Sequence, residues 1–430
     1  MTYEKSQALL ERALKSVPLA SQTFSKSFQQ LPEGHSPLFL DRGDGGRVWD
    51  VDGNEYVDMI CGLLPVVLGY KDADVDEAIK AQLDKGISFS LATELECVVA
   101  EKLIDVIPCA EMVRYGKNGT DATSAAVRLA RAYTGHDQII SIGYHGWQDW
   151  YIGATVRNLG IPEAVRGLTT KIGYNDLNAL EEQFKMHKDN VAAVIMEPMN
   201  TTYPDEGYLE AVKDMAHKHG AIIVFDEVIT GFRFGRGGAQ EAFGVTPDLA
   251  CFGKAMGNGM PISAIVGRAD IMNLMEEIFY SSTFGGEALS LAAANAVLDK
   301  FQREPVIETI DATGVKITEA VEAKIKDAGL DNTIKLAGHP SWKILQFHDH
   351  GHGSKEAVKT LFLKEMLANG VLAAVSHNIC YAHNDADIQV VLNAYDKALA
   401  VLVDALKAPD LDSRVDMNLI RPVFSVRQAA

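Results

Sequence analysis

The sequence predicts an α/β fold, in which a large domain holds a mostly parallel sheet and a smaller α+β domain follows at the C-terminal end. Two observations lead to this prediction. From about residue 112, short segments that are apolar along their whole length alternate with amphipathic helical patterns, and after about residue 310 the pattern changes to helices and a few short strands. Uninterrupted apolar strands are typical of parallel sheets that helices cover on both faces.

The elements can be assigned in chain order from hydrophobic periodicity. Residues 1–17 predict an amphipathic helix, and residues 47–60 predict two short strands around the turn Asp52-Gly53-Asn54. The alternating region contains the strands EMVRYG, QIISIG, VAAVIME, AIIVFDE, LACFG and ISAIVG, and the helices TDATSAAVRLARAY and YLEAVKDMAHKHG. The last part contains the helix VKITEAVEAKIKDAG, the short strands KILQF and GVLAAV, and the final helix DIQVVLNAYDKALAVLVDAL.

The length of 430 residues is too great for one simple core. We expect an N-terminal segment, residues 1–54, that packs with the small domain. A large domain, residues 55–310, should follow, and then a small C-terminal domain, residues 311–430.

The composition narrows the class of protein. A formal net charge of −18 argues against nucleic acid or an anionic membrane as the main partner. The five cysteines are widely spaced without a Cys-x-x-Cys pair, so neither a disulfide framework nor a zinc site is expected. The N-terminus lacks an apolar signal core, and no apolar run reaches about 18 residues. We therefore expect a cytoplasmic protein.

Several polar or small residues stand at the carboxyl ends of predicted strands, where ligands bind in open α/β sheets. These positions are Gly116 to Thr120, Tyr144, His145, Glu197, Asp226 and Lys254. The strand predictions place all of them at one edge of the sheet.

Asp226 and Lys254 are the most unusual of these residues. Asp226 ends an apolar strand and precedes a second carboxylate, Glu227, while Lys254 lies among small and apolar residues in FGKAMGNG. Separately, Asp226 fits a helix N-cap or, with Glu227, a metal site, and Lys254 fits a solvated turn. Together they fit one chemistry, because a buried carboxylate needs a cationic partner. A lysine Schiff base with an acid beside a protonated pyridine nitrogen is the signature of pyridoxal phosphate (PLP).

Two glycine-rich stretches have more than one interpretation. In YGKNGTDAT, Gly119 and Thr120 lie between a strand and a helix, where free N–H groups and a hydroxyl can bind a phosphate. Thr120 also fits a simple helix N-cap. RFGRGG, residues 233–238, lacks the strand and helix of a dinucleotide-binding motif, so we expect a flexible loop there.

Two clusters of rings are ambiguous. Three histidines in FHDHGHG invite a metal interpretation, but no further ligands at metal spacing accompany them, so a surface loop is favoured and no metal is expected: His348, His350 and His352. Three aromatic residues after His145 fit either a substrate pocket or the core: Trp147, Trp150 and Tyr151.

The longer motifs resemble those of the class III aminotransferases, which are PLP enzymes of fold type I, and are most similar to the glutamate-1-semialdehyde aminotransferase-like branch. The resemblance covers most of the chain in family order, through RVWDVDGNEYVDMI, KNGTDATSAAVRLARAYTGHDQII, GYHGWQD, MEPM, FDEVITGFR, GVTPDLACFGKAMGNGMPISAIVGR, STFGGEALS and YAHNDADI. It implies a fold-type-I PLP transferase whose large domain binds PLP and whose substrates are an amino donor and a carbonyl acceptor.

The same resemblance implies roles for the residues around the cofactor ring. Lys254 would hold PLP as a Schiff base, and Asp226 would bond its pyridine nitrogen. Tyr144 would stack on one face of the ring and Val228 would pack on the other. His145 would support Tyr144.

Further implied roles concern the phosphate and the substrate. Gly119 and Thr120 would hold the phosphate, and Thr283 would reach the phosphate of the neighbouring subunit in a homodimer with shared active sites. Glu197 would lie near the substrate as a third catalytic residue.

Three residues on the expected substrate side depart from the aminomutases of this branch. Leu63 stands in place of an aromatic residue, Asn378 stands closest to a glutamate position, and Lys26 is the nearest basic residue to an arginine position. Ile229 replaces a glutamine of many class III transaminases. With the cofactor set intact, ping-pong transfer between two molecules is favoured over a glutamate-1-semialdehyde-type 2,1-aminomutase. A phosphate- or nucleotide-binding protein without lysine chemistry is the third alternative.

Overall fold

The computed structural model describes residues 1–421, which divide into two units. One unit contains residues 1–72 and the described residues from 308 onward, and the other contains residues 73–307. In these residues the strands are β1 (Leu40–Asp44), β2 (Arg47–Asp50), β3 (Glu55–Asp58), β4 (Met112–Gly116), β5 (Gln138–Ile142), β6 (Thr169–Lys171), β7 (Val191–Met196), β8 (Ile222–Asp226), β9 (Leu249–Phe252), β10 (Ser263–Gly267), β11 (Ile334–His339), β12 (Trp342–Phe347), β13 (Val371–Leu372) and β14 (Ser376–Asn378).

The α-helices of residues 1–421 alternate with the strands along most of the chain. They are α1 (Glu4–Ala13), α2 (Ala73–Leu83), α3 (Glu94–Val106), α4 (Gly119–Thr134), α5 (Asp149–Ile152), α6 (Glu163–Arg166), α7 (Leu177–His187), α8 (Tyr208–Lys218), α9 (Ala239–Phe243), α10 (Ala269–Met272), α11 (Ala288–Arg303), α12 (Val306–Asp327), α13 (Lys355–Ala368), α14 (Asp385–Ala405) and α15 (Leu411–Arg414).

A seven-stranded sheet forms the centre of the unit of residues 73–307, with the strand order β4-β10-β9-β8-β7-β5-β6. Strand β10 is antiparallel to both of its neighbours, β4 and β9, whereas all other neighbouring strands are parallel. Every residue of β7, β8, β9 and β10 is buried, which explains why their sequences are apolar without interruption. The predicted mostly parallel α/β sheet is confirmed.

Helix α4 packs closely against this sheet because its buried face is made of small residues. Ala122, Ala125, Ala126 and Leu129 join the central hydrophobic core. The helix ends at Gly135, whose φ of 72° is the left-handed conformation that glycine adopts readily at a helix C-terminus.

Two smaller sheets belong to the other unit, with the strand orders β1-β2-β3-β13 and β11-β12-β14. Strands β2 and β3 form the predicted hairpin, with Arg47 opposite Val57. Strand β3 also pairs in parallel with β13, where Val57 lies opposite Val371, so residues 55–58 fold with this unit. The predicted strand GVLAAV is reduced to Val371–Leu372 because it pairs with β3 at two positions.

In residues 1–421, no helix combines the length and the apolar character that crossing a lipid bilayer requires.

Candidate active site

The carboxyl ends of the parallel strands in residues 73–307 meet at one edge of the seven-stranded sheet. Asp226 is the last residue of β8, Glu197 follows β7, and Lys254 follows β9 after one intervening glycine. The antiparallel strand β10 begins at the same edge, where Ser263 pairs with Gly116 at the end of β4. The structure thus brings together the strand ends that the sequence singled out.

Asp226 is buried, and its two carboxylate oxygens have different partners. Oδ2 lies 2.8 Å from Nδ1 of His145, and Oδ1 accepts a hydrogen bond from the N–H of Val228 at 3.1 Å. An ionised carboxylate only accepts hydrogen bonds, so this contact assigns a proton to Nδ1 of His145. The sequence placed His145 in support of Tyr144, whereas its hydrogen bond in the structure is to Asp226.

Glu227, the adjacent carboxylate, stabilises a neighbouring loop. It accepts hydrogen bonds from the N–H of Ala239 at 2.7 Å, from the N–H of Gln240 at 2.9 Å and from the hydroxyl of Thr230. Burial raises the pKa of Glu227 to about 7. The loop includes RFGRGG, in which every residue except the exposed Arg236 is buried and Arg233 is fully buried, so the expectation of a flexible loop is corrected.

The turn after β5 carries Tyr144 and His145, and its main chain is held by two buried side chains. The N–H of Tyr144 donates to Oε2 of Glu197 at 3.1 Å, and the hydroxyl of Tyr151 donates to the carbonyl oxygen of Gly143 at 2.8 Å. The sequence placed Glu197 near the substrate, and the structure shows that its carboxylate also fixes this turn.

The N-terminus of α4 contains Gly119 and Thr120 and is capped by other residues. Asn118 occupies the N-cap, and its N–H donates to Oδ2 of Asp121 at 2.8 Å in a capping box. Thr120 is therefore not the N-cap, which removes that alternative interpretation. Gly119 is required by a close approach, because a Cβ at this position would lie 2.6 Å from Cγ1 of Val228.

Lys254 begins a short 3₁₀ turn, Lys254–Gly257, directly after Gly253. Its φ of 40° lies in the left-handed region, a conformation that costs a non-glycine residue on the order of 1–3 kcal/mol. Gly253 lies beside Val228, whose Cγ1 would be 3.5 Å from a Cβ on that glycine. Because such strain concentrates at ligand-binding sites, the backbone at Lys254 supports a functional interpretation.

Four buried polar atoms in this region have no hydrogen-bond partner within residues 1–421: Thr120 Oγ1, His145 Nε2, Ser263 Oγ and Tyr280 OH. The hydroxyls of Ser263 and Tyr280 face the same glycine, since a Cβ on Gly116 would lie 2.8 Å and 2.6 Å from them. Buried polar groups in proteins are nearly always paired, so these atoms are candidate partners for a bound polar group. Sequence reasoning missed Ser263 and Tyr280. The sequence feature that could have identified Ser263 is a polar residue at the start of an apolar strand.

The remaining predicted residues of this unit differ in exposure. Thr283 lies in an exposed turn, where the N–H of Gly285 donates to the carbonyl oxygen of Ser282 at 3.0 Å. Trp150 and Tyr151 belong to the hydrophobic core, so the core alternative applies to them. Trp147, by contrast, is 65% exposed.

The three substrate-side departures lie in the unit of residues 1–72 and 308–421. Leu63 has a φ of 78° and lies in a run, Cys61 to Leu64, in which all four residues have positive φ. Asn378 is buried at the end of β14, and Lys26 is exposed at the end of a 3₁₀ turn.

The three histidines of FHDHGHG do not gather around a common point that could hold a metal ion. Within residues 1–421, the one group of three potential ligands that lie close enough is a different one: Cys61, Cys380 and His383. None of the five cysteines, which all lie in the described residues, forms a disulfide.

Comparisons with a family profile, with curated proteins and with solved structures all lead to the same family. The sequence profile of the family described as aminotransferase class-III matches residues 29–384. The 3-aminobutyryl-CoA aminotransferase of Cloacimonas acidaminovorans (strain Evry) is 36% identical over 406 residues, which cover 92% of this chain and 97% of the relative. The glutamate-1-semialdehyde 2,1-aminomutase of Desulforamulus reducens is 34% identical over 420 residues, which cover 91% of this chain and 97% of the relative. The solved structure of the PLP internal aldimine form of the Sphingopyxis sp. MTA144 FumI protein is 28% identical with a TM-score of 0.89, and the match covers 96% of this chain and 100% of that one.

Proposed function

This chain belongs to the class III aminotransferases, PLP-dependent enzymes of fold type I, and on that premise we propose that Lys254 and Asp226 are its central catalytic residues in amino transfer between two separate molecules. The observation that carries the proposal is the joint position of the two residues at one sheet edge. Lys254 follows β9 in a strained turn, and Asp226 ends β8 with its Oδ2 2.8 Å from His145 Nδ1.

The residues at this edge fit PLP. The N-terminus of α4 offers main-chain N–H groups to a phosphate, and the unpaired hydroxyls of Thr120, Ser263 and Tyr280 are additional polar groups in the same region. The buried carboxylate of Asp226 fits a protonated pyridine nitrogen. When bound, PLP supplies an electron sink for the electron pair that the substrate carbon gives up.

The roles of the side chains follow from their contacts. Asp226 would bond the pyridine nitrogen of the cofactor, and His145, whose Nδ1 lies 2.8 Å from Oδ2, would hold the carboxylate in position. Lys254 would hold the cofactor through Nζ, and its amine would take a proton from the substrate and return it at the neighbouring position. Tyr144 and Val228 would flank the ring.

Glu197 acts as a positioning residue in this proposal. Its carboxylate accepts the N–H of Tyr144 at 3.1 Å and thereby fixes the turn that carries Tyr144 and His145. A Cβ on Gly143 would lie 2.6 Å from Oε2 of Glu197, so the turn can approach the carboxylate this closely because a glycine stands there.

The proposed assembly is a homodimer in which Thr283 of each chain binds the cofactor phosphate of the other. Thr283 is exposed in the single chain, and the same segment exposes Phe279 by 84% and Phe284 by 58%. Exposed aromatic rings grouped on one segment are typical of surfaces that a partner covers. These exposures support an interface at this segment.

Transfer between two molecules is favoured over the aminomutase reaction by the sequence departures at Leu63, Asn378 and Lys26. An aminomutase must retain one small substrate while its amino group moves, so its site needs polar groups that hold both ends of that substrate. Leu63 supplies no hydrogen bond from its side chain. Asn378 donates from its amide nitrogen to the carbonyl oxygen of Ile60 at 2.7 Å, and its remaining Oδ1 is a neutral acceptor without the charge of the glutamate it replaces.

A half-reaction experiment tests this proposal. The holoenzyme is mixed with one amino donor at a time and no acceptor, and its visible spectrum is followed. The panel contains glutamate, other α-amino acids and β-amino compounds, the last because a relative is named for 3-aminobutyryl-CoA. A transferase converts its cofactor fully to the amine form, releases an oxo product and recovers when an acceptor is added. Isomerisation of glutamate-1-semialdehyde alone, with no transfer of isotope-labelled nitrogen from any donor, would establish the aminomutase instead.

A further inference from the structure

A second cluster of reactive side chains lies in the unit of residues 1–72 and 308–421. One potential metal-binding atom from each of Cys61, Cys380 and His383 lies within 4.8 Å of the other two. The three residues are buried, with exposures of 1%, 2% and 5%. We propose that they form a binding site for one metal ion that prefers thiolate and imidazole ligands, with Zn²⁺ as its occupant.

The spacing of the donor atoms is close to what zinc needs. With Zn–S bonds of about 2.3 Å and Zn–N bonds of about 2.0 Å, donors around a tetrahedral ion lie roughly 3.5–3.8 Å apart. The observed limit of 4.8 Å exceeds this separation by a distance that small side-chain rotations can close. Two sulfurs and an imidazole nitrogen also match the ligand preference of zinc over calcium or magnesium.

His383 is already oriented as metal-binding histidines usually are. Its Nε2 lies 3.2 Å from the main-chain carbonyl oxygen of Asp58, and its Nδ1 accepts the N–H of Cys380 at 3.1 Å. Histidine ligands commonly donate their distal ring N–H to a carbonyl or carboxylate, which fixes the tautomer and leaves the other nitrogen to bind the metal. Here Nδ1 faces the cysteine, and metal binding exchanges its hydrogen bond with the Cys380 N–H for a coordinate bond.

Cys61 reaches the cluster through an unusual backbone. It has a φ of 48°, and the following residues through Leu64 also have positive φ. Its Sγ lies 3.0 Å from the carbonyl oxygen of Asn378 and 3.3 Å from that of Asp58. These carbonyl groups are candidates for the fourth ligand. Both sulfurs bind as thiolates, so any proton on either sulfur passes to solvent and each sulfur gives the metal an electron pair.

Metal binding would join two segments that are distant in sequence. His383 and Asp58 are 325 residues apart, yet their contact places the chain after β3 against the loop before α14. These segments carry Leu63 and Asn378, two of the three substrate-side departures. The site would therefore stabilise the fold of this unit where those residues stand, because an ion that binds the folded state raises the free energy of unfolding.

The test measures Zn²⁺ binding to the chelator-treated holoenzyme by titration calorimetry, and Cd²⁺ binding by the ultraviolet absorption of cadmium–thiolate bonds. The wild-type chain should bind one ion, with a cadmium signal from two thiolates. Cys61→Ser and His383→Gln should each weaken Zn²⁺ binding more than a hundredfold. The matched control is Cys97→Ser, which removes an exposed thiol outside the cluster and should leave binding unchanged.

If a variant fails to fold, the cadmium spectrum of the wild-type chain still shows whether two thiolates bind the ion. Absence of Zn²⁺ binding by the wild-type chain, or equal binding by folded Cys61→Ser, would overturn the proposal. So would an intramolecular Cys61–Cys380 disulfide in freshly purified protein that Zn²⁺ does not prevent, since the cluster would then be a thiol redox pair. None of these measurements requires turnover, so they stand apart from the proposed amino transfer.

Discussion

His145 Nδ1 lies 2.8 Å from Asp226 Oδ2, and both residues are buried at the carboxyl edge of the seven-stranded sheet. This contact joins the turn after β5 to the end of β8. It gives Asp226 a buried hydrogen-bond partner, while the adjacent Glu227 accepts hydrogen bonds from Thr230 and Gln240 in a neighbouring loop. Two neighbouring acids in the sequence thus have separate roles.

Removing the donor should impair catalysis without unfolding the chain. We expect His145→Ala to lower kcat roughly tenfold to a hundredfold, because a hydrogen bond to a charged group contributes about 1.5–3 kcal/mol. Steady-state kinetics and PLP retention on dialysis measure the effect. The control is His217→Ala, which removes a second His–Asp contact, 2.8 Å long to Asp248, away from the sheet edge. Equal losses in both variants would show that His145 acts through stability alone.

Lys254→Ala should abolish turnover and leave the fold intact. Proton transfer by a positioned group contributes roughly 10²–10⁴-fold, and losing the covalent attachment of the cofactor adds to this cost. Single-turnover assays measure the catalytic rate, and circular dichroism checks that the fold is intact. Lys80→Ala, which removes an exposed lysine on α2, serves as the control. Near-normal activity of Lys254→Ala would contradict the central role of this residue.

Thr283 tests whether the sites are shared. Lys254→Ala and Thr283→Ala chains, each impaired alone, are mixed under conditions that exchange subunits. In a shared-site dimer, one site of the mixed dimer carries both lesions and the other carries neither, so activity returns in part. Mixing Lys254→Ala with Asp226→Ala chains should restore nothing, because both residues belong to one chain's site. Full activity of an isolated monomer would show that the sites are independent.

Glu227 should give the stability a particular pH dependence. Burial raises the pKa of its carboxyl from the usual 4.5 to about 7, so the folded chain holds this proton more tightly than the unfolded chain. The resulting stabilisation is fully present below pH 4.5 and is lost as the pH rises through about 7, a change on the order of 3 kcal/mol.

Denaturant unfolding of wild type and Glu227→Gln over this pH range measures the effect. The difference between the two free energies of unfolding should change with pH in this window. Glu210→Gln, which changes an exposed carboxylate on α8, should run parallel to wild type. A Glu227→Gln curve that also runs parallel would mean that Glu227 does not titrate there.

The sequence alone was sufficient to predict the sheet and most of the residues at the carboxyl ends of its strands. Uninterrupted apolar segments indicated strands buried on both faces, and parallel strands bring their carboxyl ends together. That rule predicts that Asp226 and Lys254 lie at the same edge of the sheet. The family motifs then indicated PLP as the cofactor, because Gly119, Asp226 and Lys254 occur in the order that the family motifs have.

Only the tertiary structure decided how neighbouring residues divide their contacts. Asp226 and Glu227 are adjacent and chemically alike, so no local pattern tells which one meets His145, 81 residues away. The sequence allowed Thr120 as the N-cap of α4, whereas in the structure Asn118 is the N-cap and forms a capping box with Asp121.

The thiol cluster shows the same limit most clearly. Local periodicity reports which face of a strand or helix is buried, but it carries no information about which distant segments meet. Cys380-x-x-His383 is a short spacing with no second cysteine beside it, and Cys61 comes from the chain after β3, the strand that pairs with β13. Side-chain chemistry is a property of the sequence, whereas the meeting of Cys61 with His383 depends on long-range packing that folding alone produces.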